Sequence, residues 1–355
     1  MHRFAAFHRQ ARRRLCALTA CVLLATGCGG GEGSTSGVAA PTAVVAEVPA
    51  STAPVEPAAG TAPAASPASG AVPAAATRPA SELPSTPAPA PIAGRQVATP
   101  VYGVTVDDIS NLSAITKSLS ALPRMPTTRI VFDEFRPAAD YREAAAAIGQ
   151  VSYVMGEILD SLYVPRYSVQ AYRERTAEYL AALGPAVDIW EIGNEINGEW
   201  LGDTRDVVAK MTAAYDTVKA QGKTAALTLY YNEGCAQKAA NAMFAWAQAH
   251  VPARMKSGLD YVWISYYEDD CPGEKPDWAA VFERLSAMFP AARLGFGEVG
   301  TAVASRKAEY VTRYYTLSID APRYVGGYFW WYFRQDMVPP SAPLWSTLSD
   351  AIASR

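Results

Sequence analysis

The sequence predicts an α/β chain whose folded part is a closed (β/α)8 (TIM) barrel, and three observations carry that expectation. Eight short runs rich in Val, Ile, Tyr and Phe alternate with eight stretches of helical apolar periodicity over about 260 residues. Strict alternation demands a parallel sheet with helical crossovers, and eight such units at this length close into a barrel. A doubly wound open sheet would show a Gly-rich phosphate-binding turn after its first strand, whereas here the chain reads Asp107-Asp108-Ile109-Ser110.

In chain order, residues 1–27 come first. They hold Arg3, Arg9, Arg12, Arg13 and Arg14, then an apolar run from Leu15 to Ala25, then Thr26-Gly27 before Cys28. A basic start, a short apolar stretch and small residues before a cut describe a bacterial secretory signal, too short for a membrane-spanning helix. Cys28 after Ala-Thr-Gly is similar to a lipoprotein cleavage site, which predicts lipidation at Cys28 and export to the cell envelope, with the outer membrane favoured. Residues 28–96 are Ala, Pro, Ser, Thr and Gly with almost no aromatics, a composition that cannot bury enough surface to offset its ordering entropy. They are expected to be a disordered tether, with the catalytic domain at 97–355.

Within that domain the expected strands are 101–106, 128–133, 151–156, 187–193, 225–230, 261–266, 294–297 and 325–332. The expected helices are 109–122, 138–148, 168–183, 205–220, 236–249, 278–289, 305–319 and 344–353. Two segments stand out. Trp190-Glu191-Ile192-Gly193-Asn194-Glu195 closes the fourth strand, and Gly295-Phe296-Gly297-Glu298-Val299-Gly300 closes the seventh. Each runs from strand-like residues into a carboxylate, the way a rigid sheet presents an acid at its rim. In such a barrel the reactive groups sit at the C-terminal ends of strands, and splitting a glycosidic bond takes two carboxyl groups.

Composition narrows the alternatives. Without the five leader arginines, 26 basic residues face 34 acidic ones, a net charge near −8 that argues against nucleic-acid binding. His250 is the one histidine beyond the leader and falls in a helical stretch, where it is expected to meet the helix dipole. A Ser/His/Asp hydrolase would have to use it, and the usual zinc ligand set is missing, so neither metal nor organic cofactor is expected. Cys235 and Cys271 alone remain after the leader and Cys28, and an exported compartment predicts a disulfide between them.

Asn194-Glu195 on strand four, Glu298 on strand seven, Arg129 in strand two, Tyr266-Tyr267 at strand six and Trp330-Trp331 at strand eight together resemble the clan A glycoside hydrolases. The likeness covers the barrel from about Val101 to Arg355. Trp331 to Asp336 is further similar to the strand-eight ending of exopolysaccharide-processing members of that clan. The resemblance implies a retaining mechanism with Glu195 as acid/base and Glu298 as nucleophile. It implies that Asn194 holds the sugar 2-hydroxyl, Arg129 lies beneath Glu298, Tyr267 or Tyr266 donates to Glu298, and Trp331 or Trp330 floors the subsite. The sequence departs from the clan in having no His in strand six or beside Glu195.

Tyr230, Tyr231 and Trp200 are candidate subsite rings, and Glu134 and Glu157 candidate rim acids. The expected partner is a poly- or oligosaccharide, met by a lipid-anchored monomer. The alternative is a polysaccharide-binding lipoprotein of an export system that cleaves nothing.

Overall fold

A computed structural model describes residues 95–355. The leader, Cys28 and all but the last two residues of the expected tether lie outside the described residues. The strands are β1 Val101–Val106, β2 Thr127–Val131, β3 Tyr153–Glu157, β4 Ile189–Glu191, β5 Ala225–Tyr230, β6 Tyr261–Tyr266, β7 Arg293–Val299 and β8 Gly326–Trp330. All pair in parallel in chain order, and β8 returns to β1, so the barrel is closed.

The α-helices are α1 Leu112–Ser120, α2 Arg142–Gly149, α3 Val169–Leu183, α4 Thr204–Ala220, α5 Met243–His250, α6 Ala253–Gly258, α7 Trp278–Met288, α8 Lys307–Tyr315, α9 Phe333–Met337 and α10 Pro343–Ala353. Side chains of Ser168, Asp203 and Asp277 cap α3, α4 and α7 by accepting from backbone N–H groups of the first turn. None of the described helices is long and apolar enough to cross a membrane.

Period-two alternation sorts the strand residues into two cores. Val101, Met155, Ile189, Ala226, Tyr261, Trp263 and Phe329 pack inside the barrel with Val97 below them. Their neighbours, among them Val104, Ile130, Val154, Trp190, Leu227, Ile264, Phe296 and Trp330, face the helices. Two large inner rings need space, and glycines provide it. A Cβ on Gly103 would stand 2.4 Å from the Phe329 ring, and one on Gly297 2.4 Å from the Trp263 Cβ.

The sequence places every strand, and the differences lie mainly at element ends. β4 is three residues long because the chain turns away at Gly193 toward Glu195, whose φ is +50°. The single helix expected over 236–249 is a 3-10 turn at Ala239–Asn241 followed by α5 and α6, separated by Val251 and the N-cap Pro252. His250 ends α5. A 3-10 helix at Ser161–Arg166 and α9, neither expected, sit after β3 and β8. Cys235 and Cys271 form a disulfide with Cα atoms 5.5 Å apart, tying the loop after β5 to the loop after β6.

Candidate active site

The C-terminal mouth of the barrel gathers Arg129, Glu157, Glu191, Asn194, Glu195, Ser265, Tyr267 and Glu298, all buried. Arg129 points inward from β2 and is wholly buried, so its charge must be met by carboxylates. Its Nε donates to Glu191 Oε2 at 2.6 Å, its Nη2 to Glu191 Oε1 at 3.0 Å, and its Nη1 to Glu298 Oε2 at 2.6 Å. Glu157 Oε2 lies 3.2 Å from Nη2. Thus Arg129 bridges Glu191 on β4 to Glu298 on β7.

Glu298 faces the interior because of a bulge. Ile264 pairs with Phe296 but Ser265 pairs with Glu298, so Gly297 is an extra residue that turns the following carboxyl inward. Its Oε1 accepts from the Tyr267 hydroxyl at 2.6 Å. Glu195 stands apart from Arg129: Oε1 accepts from Ser265 at 2.7 Å and Oε2 from Ser161 at 2.8 Å. The Trp200 indole N–H donates to that same Ser161 oxygen at 3.0 Å. A left-handed backbone at a buried glutamate is sterically costly and is held by its surroundings.

These settings divide the two acids. Burial pushes Glu195 well above the ordinary carboxylate range, the charge of Glu298 adds to the effect, and the hydroxyls of Ser265 and Ser161 oppose it without reversing it. Burial also leaves Glu298 raised, but Arg129 and the Tyr267 phenol oppose the rise. Glu195 is thus the carboxyl that its surroundings push further toward the neutral form. Tyr267 is itself raised well above a normal phenol by burial and by Glu298, which keeps it a donor.

Asn194 is aimed by its own carbonyl oxygen, which accepts from the Ser161 N–H at 3.0 Å. Its amide then faces Glu191 at 3.5 Å. The Trp331 ring lies 5.7 Å from the Arg129 guanidinium. Tyr266 and Trp330, the alternatives to Tyr267 and Trp331, are not at the site. Both fall on outward positions of their strands: Tyr266 packs edge-on to Tyr231 and Trp278, and the Trp330 indole donates to Asp336 at 3.0 Å.

Tyr231 faces the helices with Tyr266, whereas Tyr230 points inward. Glu134, expected as a rim acid, pairs with Arg166 at 3.2 Å. Glu157, grouped with it, is fully buried rather than solvated, and neither oxygen has a hydrogen-bond partner among the described residues. Burial raises Glu157 well above the usual carboxylate range despite Arg129, and Glu191 raises it further.

The site residues missed from sequence are Glu191, Ser161, Ser265 and Thr228, the last donating to Glu191 at 2.5 Å. Glu191 left a signal, since it lies two residues beyond the inward Ile189 and a buried arginine needs more than one counter-charge. The serines left none.

No family model matches the chain, and no curated protein matches it. Among solved structures, Saccharomyces cerevisiae Gas2p in complex with laminaritriose and laminaritetraose is 15% identical with a TM-score of 0.45, over 71% of this chain and 64% of that one. The β-glycosidase of the hyperthermophile Thermosphaera aggregans is 15% identical with a TM-score of 0.43, over 63% and 76%. A GH18 chitinase from Pseudoalteromonas aurantia is 10% identical with a TM-score of 0.45, over 71% and 99%. The chain thus spans somewhat less than two thirds of the length of Gas2p, and at these identities the likenesses carry no inference about substrate.

Proposed function

We propose that the protein is a retaining glycoside hydrolase of a poly- or oligosaccharide, with Glu195 as acid/base and Glu298 as nucleophile. The observation that carries this is the division of environment between two buried carboxyls at one barrel mouth, Glu195 set to hold a proton and Glu298 set against a guanidinium and a phenol.

In the first step Glu298 attacks the anomeric carbon while Glu195 gives its proton to the leaving oxygen, releasing one sugar and leaving a glycosyl ester on Glu298. In the second, Glu195 takes a proton from water, the oxygen attacks the same carbon, and the ester breaks with the configuration retained. Arg129 and Tyr267 hold Glu298 in line and receive its charge again when the ester is cleaved. Asn194 offers its amide to the 2-hydroxyl, a contact that strengthens as the oxocarbenium-like transition state forms. Trp331 floors the donor subsite. The leader and Cys28 fit an exported lipoprotein, acting as a monomer on an envelope or surface glycan.

Incubation with a glycan panel, scored by new reducing ends and by NMR of the first-formed anomer, tests the reading. Glu195→Ala and Glu298→Ala are each expected to lower turnover by a factor on the order of 10³ or more. Wild-type rates in either variant, or binding across the panel with no cleavage, would reject the assignment.

A further inference from the structure

Glu195 meets its surroundings through two serine hydroxyls, and the two are not equivalent. Ser161 opens the 3-10 helix that follows β3. The Asp160 carboxyl caps that helix by accepting from the Leu162 N–H at 2.8 Å, and the buried Lys210 ammonium of α4 donates to the Val164 carbonyl at 2.9 Å. From this anchored turn the Ser161 N–H reaches Asn194 and the Ser161 hydroxyl reaches Glu195 Oε2, so one residue addresses both members of the pair after β4. The chain beyond Glu195 then folds back, and the Trp200 indole N–H comes to the Ser161 oxygen at 3.0 Å. Gly198 makes the room, since a Cβ there would stand 2.6 Å from the Trp200 ring.

The Trp200 contact sets the direction of the Ser161 hydroxyl. An indole nitrogen only donates, so the serine oxygen accepts, and its own hydrogen has Glu195 Oε2 as its one acceptor among the described residues. In such a chain each bond polarises the next, which makes an oxygen that already accepts a better donor and a poorer acceptor. Ser265 holds the other oxygen of Glu195 at 2.7 Å, and its hydroxyl receives no hydrogen bond among the described residues. It can therefore donate to the carboxylate and turn to accept from the acid.

We propose that Ser161 is the positioning residue of the acid/base: committed by Trp200 to donate to Oε2, it leaves Oε1, at Ser265, as the oxygen that carries the proton. The role of Glu195 here rests on the glycosidase reading; the hydroxyl chain does not. In the first step the Oε1–H bond breaks as the leaving oxygen takes the proton, and in the second Oε1 takes a proton from the attacking water. Ser161 keeps its own hydrogen on Oε2 throughout. Burial disfavours the charged form of Glu195, as do Glu298 on β7 and Asp160 ahead of the 3-10 helix, and the phenols of Tyr230 on β5 and Tyr267 after β6 lie near it as neutral groups. The two serines are what favours the charge.

NMR of the whole protein, carbon-labelled at its glutamate carboxyls, tests this without a substrate. Glu298→Gln serves as background so that the second acid does not titrate with the first, and Glu195→Gln identifies the resonance. Ser161→Ala is expected to move the Glu195 midpoint to higher pH, by about tenfold in the protonation equilibrium, the scale of a hydrogen bond to a charged group. Ser265→Ala should move it less, because that hydroxyl bonds the acid as well as the carboxylate. Trp200→Phe should act in the same direction as Ser161→Ala and add nothing once Ser161 is replaced. Ser161→Thr, which keeps the hydroxyl, should keep the parental midpoint. On a panel glycan that the native protein cleaves, Ser161→Ala should lower kcat more than it changes KM. If Ser161→Ala melts well below its parent, Trp200→Phe, which leaves the serine in place, decides. An unmoved midpoint in the deciding variant, a larger shift from Ser265→Ala, or additive shifts from Trp200 and Ser161 would overturn the proposal. Absence of cleavage across the panel rejects the glycosidase reading, while the midpoints still score the hydroxyl chain.

Discussion

At the scale of single residues, the site turns on how one guanidinium is shared. Arg129 meets three carboxyls, but only Glu191 and Glu298 take hydrogen bonds from it. Glu157 is raised by burial and lacks hydrogen-bond partners among the described residues, so its carboxyl contributes less to holding Arg129 than that of Glu191 does. Glu157→Gln should therefore leave stability within about 1 kcal/mol of the parent and keep most activity. Glu191→Gln breaks a buried charge pair, and should cost about 3–5 kcal/mol of stability as well as reducing kcat through Arg129. Denaturant melts and steady-state rates of the two variants check this; equal losses would mean that Glu157 holds Arg129 as strongly as Glu191 does. Arg129 was legible as a buried cation needing a partner. Its second partner, Glu191 on β4, was passed over although its inward phase two residues beyond Ile189 was readable, because sequence does not show which of several inward carboxyls comes within reach.

At the scale of elements, β7 shows how a strand aims a carboxyl group into the barrel mouth. Its outward Phe296 packs under α7 against Trp278 and Phe282, and the Gly297 bulge then shifts the phase so that Glu298 faces inward. Gly297→Ala would put a Cβ 2.4 Å from that of Trp263, deep in the inner core. The strand or the indole would have to move, at about 1–3 kcal/mol. The expected outcome is a lower melting temperature together with a kcat loss larger than the stability change explains, since Glu298 is the next residue. A melting temperature and kcat both at parental values would show that the bulge has slack. The strand itself was readable from its residue types, but simple alternation could not reveal the bulge. Alternation does explain why Tyr267 and Trp331 reach the site while Tyr266 and Trp330 do not.

At the scale of the whole described domain, its first residues pack on the barrel face opposite the site. Arg95 donates to Asp188 at 2.6 Å and to the carbonyls of Gly149 and Ser152, all preceding β3 or β4, and Val97 closes the inner core below. Arg95 and Val97 therefore pack at the face where the strands begin. The buried acids also set how stability should vary with pH. Glu157, Glu195 and Asp270 have folded pKa values above their unfolded ones, so the folded state holds protons that the unfolded state has released. Their protonation favours the fold at acidic pH, and this contribution is lost as pH rises from the ordinary carboxylate range toward 7 and beyond. Glu268 works the other way: burial would raise it, but Arg313 and Tyr314 hold it low, so its contribution disappears as pH falls below the ordinary range. The melting temperature is expected to peak near pH 5 and to fall toward pH 8, by about 2–4 °C per kcal/mol. Calorimetry across that range checks it, with Glu157→Gln and Asp270→Asn flattening the decline; a peak at pH 8 would contradict the protonation pattern.

The sequence by itself determined the barrel, the order of its strands and the two acids at the fourth and seventh strand ends, because residue type and periodicity act locally and eight crossovers leave few ways to close. Only the tertiary structure decided which of two adjacent aromatics faces inward, which carboxyls share Arg129, and that Ser161 and Ser265 hold Glu195. Those outcomes depend on the phase of each strand, the bulge at Gly297 and distances across the barrel, which are set when the sheet closes on itself.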